Sequence, residues 1–312
     1  MPTITLQDNS SQLEVEGRPG DADSHGRHGD QHCPGIGPRL TLPDGSLYDD
    51  GANKAVFVQC ADGCFALAYT GLAILGRQRT DIWLTDVLSN AEGRLSPPGA
   101  WTVYAAATAI QQEATRALKS LPAQATTRGI TFVLAGYYND MQPFVGVVSN
   151  SEDVQGNEFP QFRNEFVCES MARMPGRRFR RTTLLDHGAR RALDGTIDRR
   201  MKKVKKTTLR QSGELVEDGL VSLIRAASRH ERFGVFIGRD CMSLRLSTAA
   251  GPFPGQLRDH AGTGVVYFPG RYHDHRGGTV HYYPHVVYPG FSMRNIVFGP
   301  AEEVDGLPPS RV

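Results

Sequence analysis

The segment Arg39–Leu88, RLTLPDGSLYDDGANKAVFVQCADGCFALAYTGLAILGRQRTDIWLTDVL, decides the reading of this chain. It carries two short apolar runs, Ala55–Cys60 and Phe65–Tyr69, separated by Ala61-Asp62-Gly63. Runs of that length, bounded by turn residues, predict a hairpin of strands buried on both faces. Thr80-Asp81 predicts the cap of a helix whose apolar positions are Ile82, Trp83, Leu84, Val87 and Leu88.

Outward from that block, Pro97-Pro98-Gly99 is a break, and Trp101–Leu121 repeats apolar residues at helical spacing (Val103, Ala107, Ile110, Ala114, Ala117, Leu118, Leu121). Ile130–Tyr137 and Phe144–Ser149 predict two more strands joined at Asn139-Asp140, and Gly213–His230 a second amphipathic helix. Phe233–Ile237, Met242–Leu246, Val265–Phe268 and Val280–Tyr283 are the remaining strand candidates. Strand pairs alternating with helix pairs give an α+β layered pattern, not βαβ repeats. Three regions follow: an N-terminal segment 1–37, a domain over 38–250 with an irregular basic insertion at 150–212, and a Gly/Pro/His/Tyr-rich extension at 251–312 packed on that domain. Met1–Leu6 alternates like a strand, but residues 7–37 are polar and rich in Gly, Asp and His, which predicts disorder.

The 312 residues can bury a sizeable core, and 34 Gly with 19 Pro point to long loops. A net charge of +2 gives no global bias toward nucleic acid or membrane. The longest uncharged apolar run, Cys64–Gly76, is too short to span a bilayer. Five irregularly spaced cysteines without a signal peptide predict a reduced, cytoplasmic compartment. One local excess stands out: residues 177–206 hold twelve Lys/Arg against three Asp, including Arg177-Arg178-Phe179-Arg180-Arg181 and Lys202-Lys203-Val204-Lys205-Lys206. A solvated face or a subunit contact is the expected role, and contact with nucleic-acid phosphates the alternative. Phe179 is the one aromatic interleaved in this run, which does not support base stacking.

Several residues suit catalysis. Lys54, at the start of a strand, is either a solvated strand-end lysine or a partly buried amine able to assist a hydroxyl nucleophile. Gly71 either lets the strand turn or presents its backbone N–H to an oxyanion. Asp240 and Ser243, three residues apart, are turn residues or a hydrogen-bonded pair supporting a catalytic amine. His28, His32 and Cys33 have ligand chemistry but no second pair at zinc-finger spacing, so no metal or other cofactor is expected. Cys241 sits at an apolar strand position and reads as a core thiol.

Arg39-Leu40-Thr41, Asp49-Asp50, Asn53-Lys54-Ala55-Val56-Phe57, Tyr69-Thr70-Gly71-Leu72-Ala73 and Arg239-Asp240-Cys241-Met242-Ser243, in this order around paired helices, carry a resemblance. Together they resemble the proteasome-type branch of the N-terminal nucleophile (Ntn) hydrolases and, more closely, uncharacterised bacterial proteasome-like proteins. The resemblance implies a four-layer αββα sandwich and a threonine-type amide-bond hydrolase acting on a peptide or small amide. It implies roles for Lys54 as catalytic lysine, Gly71 as oxyanion-hole glycine, Asp240 and Ser243 as the supporting pair, and Thr41 as a binder of substrate backbone. Homo-oligomers fit the family; a membrane partner does not, and nucleic acid is not expected.

Two departures weaken the catalytic implication. The family's Ala-Asp-x-Arg-x-Thr turn reads Ile36-Gly37-Pro38-Arg39-Leu40-Thr41, so Gly37 stands where a carboxylate would hold the lysine. Thr3, with Thr5 behind it, is the nucleophile candidate by position and alternation, yet it follows Met1-Pro2, and a blocked Thr3 lacks the free amine that serves as base. Three functions therefore stand side by side: a hydrolase with a degraded site, an inactive assembly or binding subunit on the same scaffold, and a nucleic-acid-binding protein using residues 177–206.

Overall fold

The computed structural model describes residues 2–7, 31–36, 40–41, 47–49, 54–75, 78–94, 101–121, 129–140, 142–170, 182–186, 213–230, 237, 239–247, 256–258, 264–273, 279–282, 284–288 and 291–293. Within them the chain is a mixed α+β structure of two large sheets and three helices.

The expected hairpin is the centre of one sheet. β5 (Ala55–Gln59) pairs antiparallel with β6 (Gly63–Thr70), Ala55 opposite Ala68, and the turn closes on Cys60 N–H donating to the Gly63 carbonyl at 2.7 Å. β6 continues into β9 (Thr131–Tyr138), β10 (Pro143–Ser149) and β11 (Val167–Ser170). On its other side β5 pairs parallel with β17 (His285–Tyr288), which pairs with β18 (Phe291–Met293). Alternation sorts the side chains: Val56, Val58, Phe65, Leu67, Tyr69, Phe132 and Leu134 join one cluster, and Ala55, Phe57, Cys64, Ala66 and Ala68 turn the other way.

The first cluster is covered by α1 (Thr80–Arg94) and α2 (Val103–Lys119). α2 buries Val103, Ala107, Ile110, Ala114, Ala117 and Leu118, the predicted stripe. Thr102 caps it by accepting from Ala105 N–H, while Asp62 in the hairpin turn accepts from Val103 N–H at 2.7 Å. Trp83 of α1 stacks on Phe132 with ring centroids 5.9 Å apart. At the head of α1, Thr80 does not act as the expected cap: its hydroxyl donates to the Leu72 carbonyl and anchors the preceding loop.

The second sheet runs β12 (Thr182–Asp186), β1 (Pro2–Gln7), β2 (Gln31–Ile36), β13 (Cys241–Ser247), β15 (Gly264–His273) and β14 (Gln256–Arg258), with β16 (Thr279–Tyr282) also on β15. Disorder expected across 7–37 does not extend to 31–36, which form β2 between β1 and β13. β2 pairs with β1 along its whole length, but its ladder with β13 skips Cys33 and Pro34, where the proline has no N–H to donate. The region 251–312 contributes strands to both sheets.

Met242, Leu244 and Leu246 of β13 pack on Ala55, Phe57, Ala66, Ala68 and Val286, so the sheets meet through these side chains. The opposite face of β13 meets α3 (Gly213–Ala227), where Cys241 Sγ lies 3.8 Å from the Val221 carbonyl. Two small ribbons, β3 (Leu40–Thr41) with β4 (Leu47–Asp49) and β7 (Ile74–Leu75) with β8 (Gln78–Arg79), complete the described elements.

Candidate functional site

Lys54 and Gly71 are set by the hairpin. Ala55 pairs with Ala68, so Lys54 falls opposite Tyr69, and its Nζ lies 5.7 Å from the Tyr69 ring centroid. The lysine is buried, and its amine sits over the aromatic face, a cation–π contact. Tyr69 belongs to the cluster under α1 and α2, so the amine lies on that side of the hairpin. Gly71 follows β6, is exposed, and has φ +108, a left-handed conformation that favours glycine. A Cβ there would run into the Gly129 carbonyl oxygen, so the close approach of the two backbones also requires glycine.

Asp240 and Ser243 separate onto different neighbours. Asp240, half-buried, accepts a 2.7 Å hydrogen bond from Tyr272 Oη. The Tyr272 ring packs with Ala55, Ala68 and Met242 between the sheets, so this carboxylate is tied to the end of the molecule where β5 begins. Ser243 turns toward α3 instead. Its Oγ donates to Glu217 Oε1, and His273 Nε2 donates to the same oxygen at 3.0 Å. All three are buried, and Ser243 Oγ to His273 Nε2 is 3.4 Å.

Ser243, His273 and Glu217 have the residue types of a nucleophile, base and acid but not the arrangement. A relay places the imidazole between the other two, one ring nitrogen to each. Here one carboxylate oxygen is the hub, and the same Nε2 faces both partners. With Ser243 at 2% exposure, a substrate has no approach. The cluster bonds α3 to β13 and β15.

Sequence reading did not single out Glu217, and it met His273 only as one of the clustered C-terminal histidines His273, His275, His281 and His285, without a role. A signal for the former exists: Leu220, Leu223, Ile224 and Ala227 form the buried stripe of α3, and Glu217 lies one turn upstream on it. A carboxylate on an apolar stripe announces a buried polar partner. His273 carries no comparable local signal.

Thr3 is located by register. It pairs with Gly35, which pairs with Ser243, while Pro2 pairs with Ile36 and Ile36 with Met242. Directly paired residues share a sheet face, so Thr3 holds the register of Ser243, the position α3 covers, and Pro2 that of Met242, which packs between the sheets. Thr41 lies in the β3–β4 ribbon. Gly37, His28 and the basic segment apart from β12 lie outside the described residues.

A second buried ionic group sits at the start of α1. Arg79 donates two hydrogen bonds to Asp81, at 3.1 and 2.8 Å, and His285 Nε2 lies 3.5 Å from Asp81 Oδ2. Neither ring nitrogen of the fully buried His285 makes a hydrogen bond of normal length, so its contact with Asp81 is a longer electrostatic one. Burial pushes the Asp81 carboxyl up, but His285 and Arg79 together outweigh it and hold the group below its ordinary range. Burial raises the Cys241 thiol to about 12, as a core thiol requires, and Cys64 likewise. Among the described residues no three His, Cys, Asp or Glu side chains gather as a metal site, and no helix is long and apolar enough to cross a membrane.

No family model matches the chain, and no curated protein matches it. Among solved structures it is similar to Anbu (ancestral beta-subunit) from Yersinia bercovieri, at 9% identity and a TM-score of 0.42, covering 78% of this chain and 81% of that one. It is also similar to Anbu from Hyphomicrobium sp. strain MC1, at 10% identity and a TM-score of 0.40, with the same coverages. These are distant likenesses, and no chemistry follows from them.

Proposed function

We propose that this chain is a proteasome-like scaffold that has lost its hydrolytic centre and serves as an assembly or binding subunit. The resemblance of residues 39–88 supports the scaffold. The contacts of α1 and α2 with one sheet, of that sheet with β13, and of β13 with α3 support stacking as a four-layer αββα sandwich.

The observation that carries the loss is the register of β1. A threonine nucleophile assisted by Lys54 requires both groups in one cleft. Thr3 instead holds the register of Ser243 on the face toward α3, whereas the Lys54 amine lies over Tyr69 on the α1 and α2 side of the other sheet. Gly37, where a carboxylate would orient the lysine, points the same way.

The competing reading, an amide-bond hydrolase acting on peptides or small amides, is favoured by three features at the start of β5. These are a buried lysine, a positive-φ glycine and a carboxylate tied there by Tyr272. Intact mass spectrometry of the purified chain treated with a threonine-directed covalent inhibitor separates the two. The scaffold reading expects no mass gain; a stoichiometric adduct mapped to Thr3 overturns it.

A further inference from the structure

A groove of about 450 Å³ runs between α1 and α2, within the size range of small-molecule sites. Trp83 of α1 forms part of its wall, is 7% exposed, and has one indole face stacked on Phe132. Its Nε1–H donates to no described residue. In contrast to the enclosed orphan N–H of Trp101, that nitrogen keeps surface exposure, and the groove is the space the residue lines. A Trp N–H on so buried a ring ordinarily has an acceptor. Asn90, Thr108 and Gln112 also line the groove, and their side chains bond to no described residue. Tyr104 at the rim is 75% exposed and offers an uncovered ring.

These groups define a ligand by elimination. The carboxylates along the groove are committed: Gln78 donates to Asp86, and Arg116 donates to both oxygens of Glu113. A cation would compete with bonds already made. An anion would meet both carboxylates and no lysine or arginine in the lining. A wholly apolar ligand would strip water from the Trp83 N–H and the uncharged polar side chains and return no hydrogen bond. An extended peptide takes its affinity from the unpaired backbone of a sheet edge, whereas helices satisfy their own backbones except at their ends. What remains is a neutral molecule with an apolar face and several groups that each donate and accept. Hydroxyls on a saturated ring have that chemistry.

We propose that the α1–α2 groove binds a neutral sugar unit. Its hydroxyls accept from the Trp83 N–H and exchange hydrogen bonds with Asn90, Thr108 and Gln112, while its C–H face lies against Tyr104. Thr3, Lys54, Gly71 and Asp240 are not in the lining, so the site does not depend on the scaffold reading. An adduct at Thr3 would leave it untouched.

The test titrates the full-length chain with neutral disaccharides (maltose, cellobiose, lactose and N,N′-diacetylchitobiose) up to about 50 mM, by calorimetry and tryptophan fluorescence. The chain has two tryptophans, so Trp101→Phe leaves Trp83 as the sole emitter. At least one of these sugars is expected to bind with a Kd of about 1 mM or tighter and to change Trp83 emission. Tyr104→Ala and Gln112→Ala should each weaken that binding about tenfold. Trp83→Phe, which keeps a ring and removes the donor, should weaken it about three- to tenfold. Circular dichroism verifies the fold of each variant. Absence of both heat and emission change with every sugar overturns the proposal, as does sugar binding that Tyr104→Ala and Trp83→Phe leave unchanged. So does a groove that these same substitutions show to hold adenosine or N-acetyl-trialanine amide, and no sugar.

Discussion

The two sheets solve the covering of their outer faces differently. Under α1 and α2 the contact is built from Tyr69, Phe132, Trp83, Phe166 and aliphatic residues, and its cohesion comes from area removed from water. Under α3 a carboxylate, a hydroxyl and an imidazole are buried together, and cohesion depends on a few directional bonds. The first tolerates rearrangement and the second does not, because each polar atom there was desolvated on folding.

The largest expected effect tests the apolar side. Phe132→Ala removes a ring touching Tyr69, Trp83 and Phe166 and should cost about 4 kcal/mol in urea-induced unfolding. A cost under about 1 kcal/mol would show that this cluster does not hold the helices.

Asp81→Asn comes next, since it leaves Arg79 and His285 against a neutral amide; about 3 kcal/mol is expected at pH 7. The folded-state pKa of Asp81 lies below its unfolded value. Its contribution is therefore complete above about pH 4 and lost as pH falls through the depressed folded value. The stability difference between wild type and Asp81→Asn should close below that range; a constant difference from pH 7 to pH 3 would refute the ionic account.

On the polar side, Glu217→Ala should cost about 2 kcal/mol, while Glu217→Gln, which keeps an acceptor for Ser243, should recover part of it. Equal losses for the two variants would show that charge, not hydrogen bonding, governs the α3 contact. Gly71→Ala should cost about 1–3 kcal/mol through its positive φ and the neighbouring Gly129 carbonyl. The smallest effect is kinetic: Cys64 and Cys241 should stay unmodified by iodoacetamide at pH 8 in the folded chain and react after denaturation. Peptide mapping that finds Cys241 labelled first would contradict its burial.

Much of the apolar side was legible in the sequence. The β5–β6 hairpin, the α2 stripe from Val103 to Leu118 and the β9–β10 pair all follow local periodicity, and periodicity reports which face a residue turns to the core. The polar side was less legible. Ser243 was recognisable as a residue of interest, but its partners lie 26 and 30 residues away, on α3 and β15. β2 was hidden because Gln31–Ile36 has no alternating apolar pattern, and its pairing with β1 and β13 is set by strands far away in the sequence.

By itself the sequence determined the alternation of strands and helices and the lysine opening β5, since each depends on residues adjacent along the chain; the need for glycine at 71 also rests on the approach of the Gly129 carbonyl. Only the tertiary structure decided which of these face one another. A strand's register assigns every residue on it to one side of the sheet or the other. One step in the β1–β2–β13 register separates a Thr3 level with Met242 from a Thr3 level with Ser243.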